Sequence, residues 1–117
     1  MAVQVLLVDD EPDARKTYHD ILSSAGYDVR DASSGEEALE ALGGFRPDVI
    51  LLDIRLPGMS GIELARRVSP DIPIVMITAL NTLPTVAGIG AIRRFVYKPC
   101  RPKTLIEGVE DALRYPY

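Results

Sequence analysis

Five side chains able to do chemistry together stand at the ends of stretches that read as strands. Asp9 and Asp10, with Glu11 behind them, follow Val3-Gln4-Val5-Leu6-Leu7-Val8. Asp53 ends Val49-Ile50-Leu51-Leu52, Thr78 ends Ile74-Val75-Met76-Ile77, and Lys98 follows Arg93–Tyr97 and precedes Pro99. Each alone has an ordinary explanation. Acids after a strand suit a helix N-terminus, a threonine often caps a helix, and a lysine is usually a solvated charge. Brought to one edge they would do something else. Clustered carboxylates repel by roughly 4 kcal/mol per pair at 4 Å and an effective dielectric of 20, so they call for a cation. Hard oxygen donors with the remaining positions left to water suit Mg²⁺. A lysine and a hydroxyl beside a carboxylate nucleophile complete an apparatus for phosphoryl transfer to Asp53.

The intervening segments must bring these residues together. Val49–Asp53 has the length and β-branched content of a strand buried on both faces, and Pro57, Gly58 and Gly61 then break it into a loop. Pro12 can open a first helix, in which Ala14, Thr17, Tyr18, Ile21, Leu22 and Ala25 recur at helical spacing before Gly26. Tyr27–Arg30 reads as a short strand near an edge. Ser33 or Ser34 can cap a helix over Glu36–Leu42, which Gly43-Gly44 ends. Ser60–Val68 reads as a third helix and Ile72–Thr78 as a fourth strand, with Pro73 near its start, where a missing donor matters least. Arg93–Tyr97 is a fifth strand, and Leu105, Ile106, Val109, Ala112 and Leu113 line one face of a final helix. Strands alternating with helices imply a doubly wound α/β sandwich on a parallel sheet, whose ligands bind at the carboxyl ends of the strands.

Composition narrows the classes. The 117 residues fit one domain over residues 1–117. A net charge of −4 argues against a nucleic-acid surface built on phosphate contacts. The single cysteine, Cys100, allows no intrachain disulfide and makes a cysteine zinc site untenable. No apolar run reaches the ~18–20 residues of a membrane span, and the N-terminus lacks the basic region of a signal peptide, so the default expectation is the cytoplasm.

The sequence resembles the receiver domain of two-component response regulators. The matching segments are Leu6-Leu7-Val8-Asp9-Asp10-Glu11, Leu51-Leu52-Asp53-Ile54-Arg55-Leu56-Pro57-Gly58-Met59-Ser60-Gly61, Met76-Ile77-Thr78-Ala79 and Lys98-Pro99. The resemblance implies a flavodoxin-like (βα)₅ sandwich with strand order 2-1-3-4-5. It implies that Asp53 accepts a phosphoryl group from the phosphohistidine of a sensor histidine kinase or phosphotransfer protein. Asp9, Asp10, Asp53 and the backbone carbonyl of Arg55 would hold Mg²⁺, and Thr78 and Lys98 would contact the phosphoryl oxygens. Phe95, three residues before Lys98, matches the family's switch aromatic, although a plain core phenylalanine is an equal reading. A downstream effector, a homodimer formed on phosphorylation, and no direct nucleic-acid or membrane binding complete the expectation. Self-phosphorylation and self-dephosphorylation with Mg²⁺ would not make the domain an enzyme by role.

Some positions depart from the pattern. Cys100 stands where an aromatic usually follows Lys-Pro and reads as a small buried residue. His19 reads as a solvated surface histidine. Arg55 and Leu80, two residues beyond Asp53 and Thr78, imply a long-lived adduct, because Leu80 cannot orient a water. Pro84, Gly88 and Gly90 predict a short or irregular fourth helix between Leu80 and Ala91, with Arg93 and Arg94 as a basic contact point beside it. The rival reading is a small Mg²⁺-dependent phosphate-ester hydrolase of the same fold. Such an enzyme usually places a second acid two residues after the nucleophile, where this chain has Arg55.

Overall fold

In the computed structural model, which describes residues 2–79 and 89–114, five strands run parallel in the order β2-β1-β3-β4-β5. They are β1 (Gln4–Val8), β2 (Asp28–Ala32), β3 (Val49–Asp53), β4 (Ile74–Thr78) and β5 (Ile92–Tyr97). Four described helices cover the sheet: α1 (Pro12–Ser24), α2 (Gly35–Leu42), α3 (Gly61–Arg67) and α4 (Pro102–Arg114). The fold class and strand order read from the sequence are therefore present. The irregular helix predicted over Leu80–Ala91 falls largely on residues 80–88, which lie outside the described residues, as does Leu80 itself. Ile89–Ala91 form a turn leading into β5.

The central strands are buried because both faces are covered. All five residues of β3, and all five of β4, are buried. Alternation divides their side chains between two cores. Leu6, Val8, Ile50, Leu52, Ile74 and Met76 face α2 and α3, with Ala38, Leu64 and Ala65. Val5, Leu7, Val49, Leu51, Val75, Ile77 and Val96 face α1 and α4, with Tyr18, Leu22, Leu105, Val109 and Ala112. Each fully buried aliphatic side chain stabilises this arrangement by about 1.5–3 kcal/mol.

The helix starts follow from local chemistry. Glu11 caps α1 by accepting from the Asp13 amide, with Pro12 in the first turn. Ser34 and Ser60 cap α2 and α3 through the amides of Glu37 and Glu63. Some boundaries differ from the sequence reading. β2 spans Asp28–Ala32 rather than Tyr27–Arg30, and it is an edge strand as expected. β4 begins at Ile74, not Ile72, because Pro73 has no N–H to give the ladder; only its carbonyl pairs, with Ile50 N at 3.0 Å. Helix α3 stops at Arg67, and Val68 is already extended.

The register of β4 with β5 slips between Ile74 and Val75, so that Arg93 is the extra residue of a bulge. Its guanidinium donates to the Pro70 carbonyl at 2.9 Å, and that of Arg94 to the Arg93 carbonyl at 2.7 Å. Both side chains are only half exposed. Each is anchored to backbone through one guanidinium nitrogen.

Candidate functional site

Strand parity explains why distant residues meet. Asp9 continues the Val5, Leu7 face of β1, and Asp53 the Val49, Leu51 face of β3, so both carboxylates emerge on the α1/α4 side. Lys98 continues the parity of Val96 and arrives between them. Its Nζ lies 2.8 Å from Asp53 Oδ2 and 3.6 Å from Asp9 Oδ2. It also sits 5.8 Å from the centre of the Tyr18 ring.

Nearly every polar atom of Asp9 is assigned. Its amide donates to the Ala32 carbonyl at 3.1 Å, and its own carbonyl accepts from Arg15 Nη1 at 2.7 Å. Oδ1 accepts from the Glu11 amide at 2.9 Å. Oδ2 is buried and has no hydrogen bond. Burial pushes the Asp9 carboxyl above the usual carboxylate range, and the charges of Asp53 and Asp10 reinforce it; the Glu11 amide and Lys98 oppose. Burial alone would lower Lys98. The hydrogen bond from Lys98 to Asp53 and the charges of Asp53 and Asp9 outweigh it and raise the ammonium above its ordinary value.

Asp53 is 7% exposed, and its Oδ1 accepts from the Arg55 amide at 3.0 Å. That bond brings the Arg55 backbone to the rim of the site. The turn that follows needs glycine twice. Gly58 has φ +70°, where other residues are strained. A Cβ on Gly61 would collide with the Asp53 carbonyl and lie 2.8 Å from Ile54 Cα, so only glycine lets α3 begin this close to the end of β3.

Thr78 is buried at the end of β4, and its carbonyl accepts from the Lys98 amide at 2.8 Å. By alternation it follows Met76 onto the α2/α3 side of the sheet. Phe95, the β5 partner of Met76, is half-buried against the same core. Thr78 and Phe95 therefore share a sheet face, while Asp53 and Lys98 share the other.

The donor set fits a small divalent cation. Asp9, Asp10 and Asp53 offer carboxylate oxygens that all lie within 4.8 Å of one another. Asp10 is exposed, so water can complete the coordination of a hard ion such as Mg²⁺. Asp9 Oδ2, ion-paired with Lys98 at 3.6 Å but buried with no hydrogen bond, is an independent observation that suits a cation there, because a buried polar atom normally has a hydrogen-bond partner.

Other side chains near the site were not legible as such. His19 is not simply solvated: its Nδ1 lies 2.7 Å from Oδ1 of Asp31 on β2. Arg15, one turn earlier on α1, reaches both Asp31 and Asp9. Cys100 is half-buried rather than buried, packed on the α1/α4 core. Burial, with Cys100 next in size, pushes the Tyr18 phenol up to about 12.

Comparison with known proteins agrees with this geometry. The family model for the response regulator receiver domain matches residues 5–110. The DNA-binding response regulator MtrA of Mycolicibacterium smegmatis is 38% identical over 97% of this chain and 52% of its own length. The probable transcriptional regulator ycf27 of Guillardia theta is 40% identical over 95% of this chain and 45% of its own. The chain thus spans about half the length of these curated relatives. Among solved structures, chemotaxis response regulator CheY4 of Vibrio cholerae superposes with a TM-score of 0.87 at 31% identity, covering 97% of this chain and all of its own. The receiver domain of NtrX from Brucella abortus gives 0.87 at 32% identity, covering 95% and 98%. Five parallel strands in this order, an acidic cluster at their carboxyl ends and these matches make the chain a member of the response-regulator receiver family of two-component signalling.

Proposed function

We propose that this receiver domain is switched by phosphorylation of Asp53, with a phosphohistidine on a sensor histidine kinase or phosphotransfer protein as donor. An Asp53 carboxylate oxygen attacks phosphorus, the P–N bond to the donor imidazole breaks, and its electron pair leaves with the ring nitrogen, which takes up a proton. The product is an acyl phosphate. Asp9, Asp10, Asp53 and the Arg55 carbonyl would hold Mg²⁺, which when bound would offset the charge of the incoming phosphoryl group. Lys98 exchanges its hydrogen bond to Asp53 for one to a phosphoryl oxygen, and Thr78 donates its hydroxyl to another.

The observation that carries this reading is Lys98 Nζ held at 2.8 Å from Asp53 and 3.6 Å from Asp9, beside an Asp9 oxygen with no hydrogen-bond partner. A cation-poor, acid-rich pocket built around one carboxylate suits a dianionic phosphoryl group only with a metal and a lysine together. The new charge, about −1.5 to −2 by analogy with other phosphorylated side chains, favours the state in which Thr78 turns toward it. Phe95, on the same sheet face, then fills the space behind Thr78 and alters the surface beside β5. A downstream effector domain or protein reads that surface, and the phosphorylated domain is free to pair with a second copy. The role is signalling in the cytoplasm rather than turnover of a substrate.

Incubation with Mg²⁺ and acetyl phosphate, followed by intact mass, tests this. The expected result is one phosphoryl adduct in wild type and none in Asp53→Asn or with chelator. An adduct that persists in Asp53→Asn, or acetyl phosphate turned over with no adduct at any time, would overturn it in favour of hydrolysis.

A further inference from the structure

Asp9 is fixed by more than its own loop. Its carbonyl accepts the 2.7 Å hydrogen bond from Arg15 Nη1, on the turn of α1 that follows the acidic segment. The other side of that guanidinium faces β2: Arg15 Nε is 4.0 Å from Asp31 Oδ2. The second oxygen of Asp31 is occupied by His19, whose Nδ1 lies 2.7 Å away, one helical turn further along α1. Arg15 and Asp31 are respectively 22% and 35% exposed at the side chain, so the ion pair is partly shielded from solvent. Three side chains from two elements thus form a chain, His19 to Asp31 to Arg15, that ends on one main-chain carbonyl. That carbonyl belongs to the residue whose Oδ2 has no hydrogen bond and whose neighbour Asp10 supplies another oxygen.

We propose that Arg15 is a positioning residue for the metal-binding carboxylates: braced by Asp31, which His19 holds in place, it grips the Asp9 carbonyl and sets the direction in which Asp9 and Asp10 present their oxygens. This rests on the reading of the acidic cluster as a Mg²⁺ site. The peptide unit between Asp9 and Asp10 is the hinge on which both carboxylates swing. Its carbonyl oxygen is held by Arg15, while the preceding peptide unit is held at Asp9 N by the Ala32 carbonyl. Without the Arg15 bond the peptide plane can rotate, and the two carboxylates no longer converge. Outer contacts of this kind typically change metal affinity by about 10–100-fold.

The sign of the effect separates positioning from simple charge. Arg15 is a cation close to a cation site. Were charge its only influence, removing it would tighten Mg²⁺ binding. Were it a positioning residue, removing it would weaken binding despite the lost repulsion. The experiment is a Mg²⁺ titration followed by ¹⁵N–¹H spectra of wild type, Arg15→Ala, Arg15→Lys and Asp31→Asn. The Asp10 amide, joined to the Asp9 carbonyl carbon, reports the hydrogen bond to that carbonyl even without metal. We expect the Asp10 amide to move in metal-free Arg15→Ala and Asp31→Asn, and Mg²⁺ to bind Arg15→Ala about tenfold more weakly. Arg15→Lys keeps the charge but not the fork, and recovers only part of the affinity. If Arg15→Ala does not fold, the Asp10 amide of Asp31→Asn decides alone. Mg²⁺ bound by Arg15→Ala as tightly as by wild type or tighter, or an unmoved Asp10 amide in Asp31→Asn, overturns the inference. A wild type that binds Mg²⁺ but takes no phosphoryl group would sink the phosphoacceptor reading and leave this inference standing.

Discussion

Lys98→Met is the perturbation whose cost follows most directly from the geometry. The ammonium lies 2.8 Å from one carboxylate and 3.6 Å from another. With an effective dielectric of 20 these separations correspond to about 6 and 5 kcal/mol of gross attraction, most of it cancelled by desolvation of the three charges. Breaking a fully buried pair costs about 3–5 kcal/mol, and an exposed one about 0–1. Lys98 is 22% exposed at the side chain, between those limits, which gives a loss of about 2–3 kcal/mol for the metal-free protein. The substitution also leaves Asp9 and Asp53 facing each other. Their nearest oxygens are no more than 4.8 Å apart, a repulsion of at least about 3.5 kcal/mol at the same dielectric. Mg²⁺ should therefore stabilise Lys98→Met more than wild type, because it no longer competes with an ammonium for the same oxygens. Urea unfolding with chelator and with a Mg²⁺ series measures both effects. For wild type the gain follows RT ln(1 + [L]/Kd), about 2.7 kcal/mol at a hundredfold excess over Kd. A metal-free variant within about 0.5 kcal/mol of wild type, the range of an ordinary surface substitution, would refute the reasoning. So would a Mg²⁺ gain smaller in the variant than in wild type.

Two further outcomes follow from packing and burial. Gly61→Ala drives a methyl group into the Asp53 carbonyl and to 2.8 Å from Ile54 Cα, both backbone, so the loop itself must shift. The expected cost is about 1–3 kcal/mol in thermal or urea unfolding, with a slower phosphorylation rate; unchanged stability would show that the loop yields freely. The Tyr18 phenol, pushed up to about 12 mainly by burial, should give a late phase in an ultraviolet pH titration, and Tyr18→Phe should remove that phase. A phenol whose folded value is raised contributes stability that is complete below its ordinary value of 10 and is lost as pH rises from there through about 12. Tyr18→Phe should accordingly flatten the fall in stability across that window, and an identical slope would contradict the burial argument.

The strands were legible because burial on both faces imposes continuous apolar runs, and Asp53 was legible because its run enters it without a break. The five residues at the strand ends were recognisable for the same reason: parallel strands put all their carboxyl ends on one edge. What stayed hidden depends on contacts between elements. Nothing local tells that His19 and Arg15 on α1 face Asp31, whose position is set by the β1–β2 register, Leu7 opposite Asp31. Consecutive Arg93 and Arg94 give no local sign of the bulge that places one of them outside the ladder. Pro73 marked the start of β4 correctly in kind but not to the residue, since a proline carbonyl can still pair where its nitrogen cannot.

The central claim is that Asp53, and not a neighbouring acid, carries the phosphoryl group. Borohydride reduces an acyl phosphate to the alcohol, so treatment of the protein after reaction with acetyl phosphate and Mg²⁺ converts a phosphorylated aspartate to homoserine. Peptide mapping then reads the position directly. The account predicts homoserine at residue 53 alone, with Asp9 and Asp10 intact and no conversion when Mg²⁺ is chelated. Homoserine at residue 9 or 10, or phosphodonor consumed with no homoserine anywhere in the chain, would contradict it.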